Sequence, residues 1–192
     1  MKISILLPYK ENFSPEYPGA VSLFIKDTSR YSKYRKNLVV YGNTSFKKKY
    51  NIKYVDIVLK KNLISSQTKQ YVDKFIVHEK NNKSQLIEIH NRPIYLKYLI
   101  KKLATSNYTL FFHNDPLSME GSKNINERIF LLDACYKIIF NSNWSKKRFL
   151  EGLDNKYINS EKLLVCFQSA KKGHLNVIKK KKKIDYIRWK IK

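Results

Sequence analysis

Seven short apolar runs, each closed by a polar or turn-forming cluster, constrain this chain more than any other feature. They span residues 2–7, 37–41, 54–59, 86–89, 108–112, 137–140 and 163–167. Each is four to six residues long and rich in Ile, Val, Leu, Phe or Tyr, which reads as a buried strand. Between them lie segments with helical spacing. Val21, Phe24 and Ile25 repeat on one face of 20–34, and Tyr71, Phe75 and Ile76 on one face of 66–79. Residues 94–103 follow Pro93, a good first-turn residue, and 127–135 and 145–150 are also helical. Strands that alternate with helices predict an α/β fold with a doubly wound, mostly parallel sheet of about seven strands and right-handed crossovers. The third strand is expected near an edge.

The polar clusters recur directly after the first, fourth, fifth and sixth runs, so they share one rim of such a sheet. The rim carries Glu11, Asn12 and Gly19, then His90, Asn91 and Arg92, then His113, Asn114 and Asp115, then Asn141, Ser142 and Ser145. Open α/β sheets bind ligands at the carboxyl ends of their strands. The stretch Leu110-Phe111-Phe112-His113-Asn114-Asp115-Pro116 is the sharpest of these apolar-to-polar transitions. Gly19, ahead of a helix, would leave backbone N–H groups pointing at the space above the sheet, where an anion fits. Structural readings stay open beside these: Gly19 permitting a tight turn, His113 bonding locally, Arg92 pairing with Asp115, Asn141 and Ser142 capping the next helix.

Composition narrows the chemistry. The 192 residues suffice for one sizeable core. The formal charge is +24, part of which reflects a Lys-, Ile-, Asn- and Tyr-rich composition typical of A/T-rich codons. The remainder favours anionic partners: nucleic acid, an acidic membrane surface or phosphate-bearing substrates. The lysines are spread over the chain, which argues against one dedicated groove. Cys135 and Cys166 both lie in apolar runs and are expected as buried, reduced thiols. With no CxxC pair and the two rim histidines on different strands, no metal site is expected. The chain has no G-x-S-x-G elbow, no GxGxxG fingerprint and no P-loop, which disfavours an α/β-hydrolase and a dinucleotide-dependent enzyme. Signal-peptide and membrane-spanning patterns are absent, so the expected location is cytoplasmic or peripheral at the inner face of the membrane.

The rim motifs resemble a known family. Ile5-Leu6-Leu7-Pro8 with Tyr17-Pro18-Gly19, Glu88-Ile89-His90-Asn91-Arg92, Phe112-His113-Asn114-Asp115 and Ile139-Phe140-Asn141-Ser142-Asn143-Trp144-Ser145 are similar, in order and spacing, to the N-terminal domain of GT-B fold glycosyltransferases of the retaining family-4 type. Pro18-Gly19-Ala20 departs from the commoner Gly-Gly loop. The resemblance covers residues 2 to about 170. It implies a Rossmann-like half of a GT-B fold that binds the acceptor, with a second domain binding the nucleotide sugar and no further cofactor. By position it implies that His113 contacts the transferred sugar and is catalytic, and that Gly19 lies by the donor phosphates. His90, Asn91, Arg92, Asn114 and Asp115 would shape the acceptor side, with Glu11, Asn141 and Ser142 elsewhere on the rim. The implied partners are a nucleotide sugar, a glycan or lipid-linked acceptor, an anionic membrane face and a donor-binding domain, in this chain or a separate one. The alternative is a non-enzymatic basic module binding nucleic acid or another polyanion. Its stacking platforms would come from fourteen tyrosines and ten phenylalanines, but these fall mostly in the strand and helix cores.

Residues 171–192 form a basic tail that contains the run 179–183. Such runs are usually solvated, or bind acidic lipid or nucleic acid. They are also encoded by adenine-rich tracts prone to frame slips. With one choice of codons, the sequence from Ile184 moved by one base reads as a strand and glycine turn, and Trp189-Lys190 forces the glycine. The expectation is that residues from about Ile184 are out-of-frame sequence ahead of a donor-binding domain.

Overall fold

The computed structural model describes residues 1–59, 66–104 and 106–168. The basic tail at 171–192 lies outside the described residues. Among these residues, seven strands make one sheet: β1 (Ile3–Leu6), β2 (Leu38–Gly42), β3 (Tyr54–Asp56), β4 (Leu86–His90), β5 (Asn107–Phe112), β6 (Lys137–Phe140) and β7 (Leu163–Val165). Their order is β3-β2-β1-β4-β5-β6-β7, and all six pairings are parallel. The helices are α1 (Ala20–Tyr31), α2 (Gln67–Asn82), α3 (Ile94–Leu99), α4 (Ile125–Ala134) and α5 (Asn143–Leu150). The α/β architecture and strand number expected from the sequence are present, with β3 at the edge.

Strand alternation divides the core in two. Leu6, Tyr41, Ile87, Ile89, Leu110, Phe112, Ile138 and Phe140 face Tyr71 and Phe75 of α2, Leu96 and Leu99 of α3, Leu131 of α4 and Phe149 of α5. Ile3, Ile5, Leu7, Leu38 and Val40 face Val21 and Ile25 of α1. Each large side chain buried this way contributes about 1.5–3 kcal/mol. Phe112, Phe140 and Phe149 pack with ring centroids 5.3–5.7 Å apart, which fixes α5 against the strand ends.

Local chemistry sets the helix ends. Ser66 Oγ accepts from Lys69 N at α2, and Asn124 and Glu127 form a reciprocal capping box at α4. α2 runs three residues beyond the expected Glu79 and stops where Lys83 takes a left-handed conformation, φ 51°. α3 stops at Leu99, short of the expected Leu103; beyond it the chain continues as a turn in which Lys102 N and Leu103 N both donate to Leu99 O. Regular pairing in β3 stops at Asp56, where its partner β2 also ends.

Two polar features are structural. The buried Glu79 carboxylate accepts from Ser4 Oγ at 2.5 Å and Ser84 N at 2.5 Å, tying α2 to the amino ends of β1 and β4, opposite the rim. Buried Arg128 donates from Nη1 to Phe149 O at 2.5 Å and to Glu151 O at 2.7 Å, joining α4 to the end of α5. One expectation is corrected. Cys135 is buried, and burial pushes its thiol up to about 12, but Cys166 is exposed. Cys166 follows the last residue of a three-residue strand, which no further strand covers among the described residues.

Candidate functional site

The chain leaves β1 in one direction for β2 and β3, then returns to β4 on the other side of β1. Strand order reverses there, and the crevice above such a switch point is the usual ligand position in open α/β sheets. The rim residues converge on it.

Next to it, at the ends of β4 and β5, two histidines touch. His90 ends β4, His113 follows β5, and His90 Nδ1 lies 2.9 Å from His113 Nε2. The rings are clamped: Phe111 stacks on His90 at 4.5 Å and Phe24 of α1 meets His113 edge-on at 5.0 Å. The His113 backbone is held from both flanking strand ends. Its N–H donates to Asn91 Oδ1 at 2.7 Å, and its carbonyl accepts from Asn141 Nδ2 at 2.7 Å. Asn91 itself sits at φ 53°, a left-handed position that asparagine tolerates better than most residues. Burial, and then the neighbouring His90, push His113 down to about 3. It is therefore neutral at physiological pH, a polariser or hydrogen-bonding group rather than a cation.

The helix end at Gly19 differs from the expectation. The α1 N-terminus already holds an anion, because Ser22 N donates to Glu11 Oε1 at 3.0 Å. Gly19 has φ −78°, ordinary for any residue, so a tight turn does not require glycine. Close approach does: a Cβ at Gly19 would stand 1.9 Å from Glu11 Oε1. Glycine leaves the seat in which the carboxylate meets the positive end of the helix. Gly19→Ala and Glu11→Ala should each cost about 0.5–1 kcal/mol in urea unfolding. Both act on the same contact, so the double variant should cost little more than either alone. Fully additive losses would show that Glu11 does not occupy the helix end.

A second feature opens at Asn91 and Asn114, the chain neighbours of the two histidines. Thr68, Asn91, Arg92, Ile94, Asn114 and Glu120 line most of a polar cleft of about 340 Å³, at the small end of the range for small-molecule sites. By contrast, the groove at His113, bounded by Phe24, Ile139, Asn141, Cys166 and Gln168, has about 10 Å³ free, room for at most one water. Gln168 closes it, with its amide nitrogen on His113 Nδ1.

The residues named from the sequence thus separate by role. Asn91, Arg92 and Asn114 share the open cleft. His90 is fully buried, so it acts on His113 and does not itself face the cleft. Asp115 pairs with Arg148 at 3.3 Å and caps the following turn through Leu117 N; Arg92 instead donates to Asn91 O. Ser142 caps α5 by accepting from Ser145 N, the bland reading, while Asn141 supports His113. Sequence reasoning missed Arg148, Gln168, Glu88, Thr68 and Glu120. Glu88 stands inside the strand-end motif that leads to His90, but only the pairing of β4 with β5 shows what it faces; the other four have no motif around them, and only the three-dimensional packing brings them to the rim. Among the described residues, no three His, Cys, Asp or Glu side chains cluster in a way that could hold a metal ion.

No protein-family model and no curated protein matches the sequence. Solved structures match in fold. HepE of Anabaena, solved in complex with UDP, aligns over 87% of this chain with a TM-score of 0.55 at 18% identity. The lipopolysaccharide outer core galactosyltransferase WaaB, in its apo form, aligns over 88% with a TM-score of 0.59 at 15% identity. MnaA of S. aureus, in a structure with UDP, aligns over 86% with a TM-score of 0.52 at 10% identity. This chain spans 44%, 46% and 44% of those three chains, less than half of each. The likeness is one of fold: a Rossmann-like α/β unit with a seven-stranded parallel sheet, matching one half of a GT-B fold.

Proposed function

We propose that this chain is the acceptor-side half of a nucleotide-sugar-dependent glycosyltransferase. The complete enzyme would move a sugar from a nucleotide-sugar donor to a hydroxyl of a glycan or lipid-linked acceptor, in the synthesis of an envelope polysaccharide. The observation that carries this reading is the polar cleft of Asn91, Arg92 and Asn114 at the carboxyl ends of β4 and β5, in which Asn91 also holds the backbone of the neutral His113. Sugar hydroxyls need many directional donors and acceptors, and amides, a guanidinium and a neutral imidazole supply them. The fold neighbours are consistent with it: two were solved with UDP and one is named a galactosyltransferase.

In this reading the cleft holds the acceptor, and His113 faces the transferred sugar. Catalysis rests on positioning and on electrostatic stabilisation of the departing nucleoside diphosphate, most of it supplied by a donor-binding half on a second domain or chain. Gly19 would approach the donor phosphates only in competition with Glu11, which holds the same helix end. The cationic composition would favour an anionic membrane face that carries the acceptor. No helix among the described residues is long and apolar enough to cross a membrane.

Amide-resolved NMR titration of the chain with short oligosaccharides tests the cleft. Shifts are expected at Asn91, Arg92, Asn114 and Glu120. The double variant Arg92→Ala, Asn114→Ala should weaken binding about tenfold or more, the order of two lost hydrogen bonds. Shifts scattered over the lysine-bearing surface, reproduced by duplex DNA and erased by salt, would instead indicate a polyanion-binding module.

A further inference from the structure

Four side chains form a line from the interior of the sheet to its rim. Glu88 Oε2 lies 3.8 Å from His90 Nε2, His90 Nδ1 lies 2.9 Å from His113 Nε2, and His113 Nδ1 meets the Gln168 amide nitrogen. His90 is fully buried, and its Nε2 makes no hydrogen bond among the described residues. Neither imidazole can turn freely, because Phe111 stacks on one and Phe24 abuts the other.

The line has one self-consistent polarity. A carboxylate facing a buried ring nitrogen favours a proton on that nitrogen. His90 Nε2 then carries the hydrogen, and its Nδ1 offers a lone pair. Only an N–H can fill that lone pair, so His113 carries its proton on Nε2. The remaining nitrogen of His113, Nδ1, is left as an acceptor, and it is met by an amide nitrogen, a donor. The opposite polarity would place a lone pair of His90 toward the Glu88 carboxylate.

We propose that Glu88 and His90 are positioning residues that lock His113 in its Nε2–H tautomer, so that it presents only a hydrogen-bond acceptor to the rim. Gln168 occupies that acceptor in the closed groove. A ligand group that replaces Gln168 must therefore bring its own hydrogen, as a hydroxyl does. A phosphodiester oxygen, which carries none, is refused. The tautomer stands on geometry alone; the identity of the hydroxyl as a sugar's rests on the function proposed above.

The test is the two-bond nitrogen–proton spectrum of the full chain labelled with ¹⁵N-histidine at pH 7, which shows which ring nitrogen carries the proton. The wild-type protein should show His113 as a single Nε2–H tautomer. Glu88→Leu should turn it into a mixture, and Glu88→Gln, which keeps an amide dipole but not the charge, should restore part of the Nε2–H form. An Nδ1–H tautomer in the wild type would overturn the proposal without any variant. So would a folded Glu88→Leu protein, or Glu88→Ala if the leucine variant fails to fold, with an unchanged His113 tautomer. These spectra need no ligand. Failure of the oligosaccharide titration would therefore sink the transferase reading and leave the tautomer lock standing, and the reverse outcome is equally distinguishable.

Discussion

Lowering the pH from 7 to 4 should destabilise the folded chain steeply, and replacing His113 by phenylalanine should remove much of that slope. His113 has a folded value of about 3, depressed by burial and then by His90, against an ordinary value near 6.5. Between these two values the unfolded chain binds a proton that the folded chain refuses. Stability therefore rises with pH across this window. It is fully present above the unfolded value and is lost as pH falls toward the folded one. The slope from one such group approaches about 1.4 kcal/mol per pH unit, and the whole window amounts to at most on the order of 5 kcal/mol. That upper bound rivals the total stability of many domains of this size. Phenylalanine keeps a ring against Phe24 and cannot be protonated, so the difference between the two proteins isolates His113 from the carboxylates that titrate in the same range. Urea midpoints at half-unit intervals would show it. Parallel curves for wild type and His113→Phe would mean that His113 is protonated in the folded state.

The same histidine shows what sequence reasoning could reach. Seven apolar runs and five helical segments were readable because strand and helix periods are local, and the rim followed from where those runs stop. His113, Asn91 and Asn141 were picked out by position alone, and the structure brings them into direct hydrogen-bonded contact. Their partners were not readable. That His90 meets His113 depends on β4 lying beside β5, and that the rim centres on β1 and β4 depends on the strand order. A linear pattern fixes neither. The pairing of Asp115 with Arg148 instead of Arg92 depends on how α5 packs on Phe112 and Phe140. At Gly19 the residue was singled out for a sound reason, an accessible helix end, but the occupant of that end is Glu11, eight positions earlier across an irregular loop. Cys166 was misplaced because an apolar neighbourhood in sequence says nothing about which strand becomes the sheet edge.

The second large effect is expected in the chemistry. If His113 faces the transferred sugar, His113→Ala should lower transfer by about 10²–10³-fold, the order seen when one pre-organised polar group is removed from a reacting centre. Substitutions that only loosen the cleft should act through acceptor affinity instead. The most direct measurement is the mass profile of the cell-envelope glycans made by cells that carry His113→Ala at the native locus, with the protein level checked by immunoblot. Working in the cell supplies the acceptor and whatever donor-binding half completes the enzyme. The account predicts glycans shortened at one sugar, matching those of a gene deletion, at an unchanged protein level. Full-length glycans in both the deletion and the stable His113→Ala strain would contradict it.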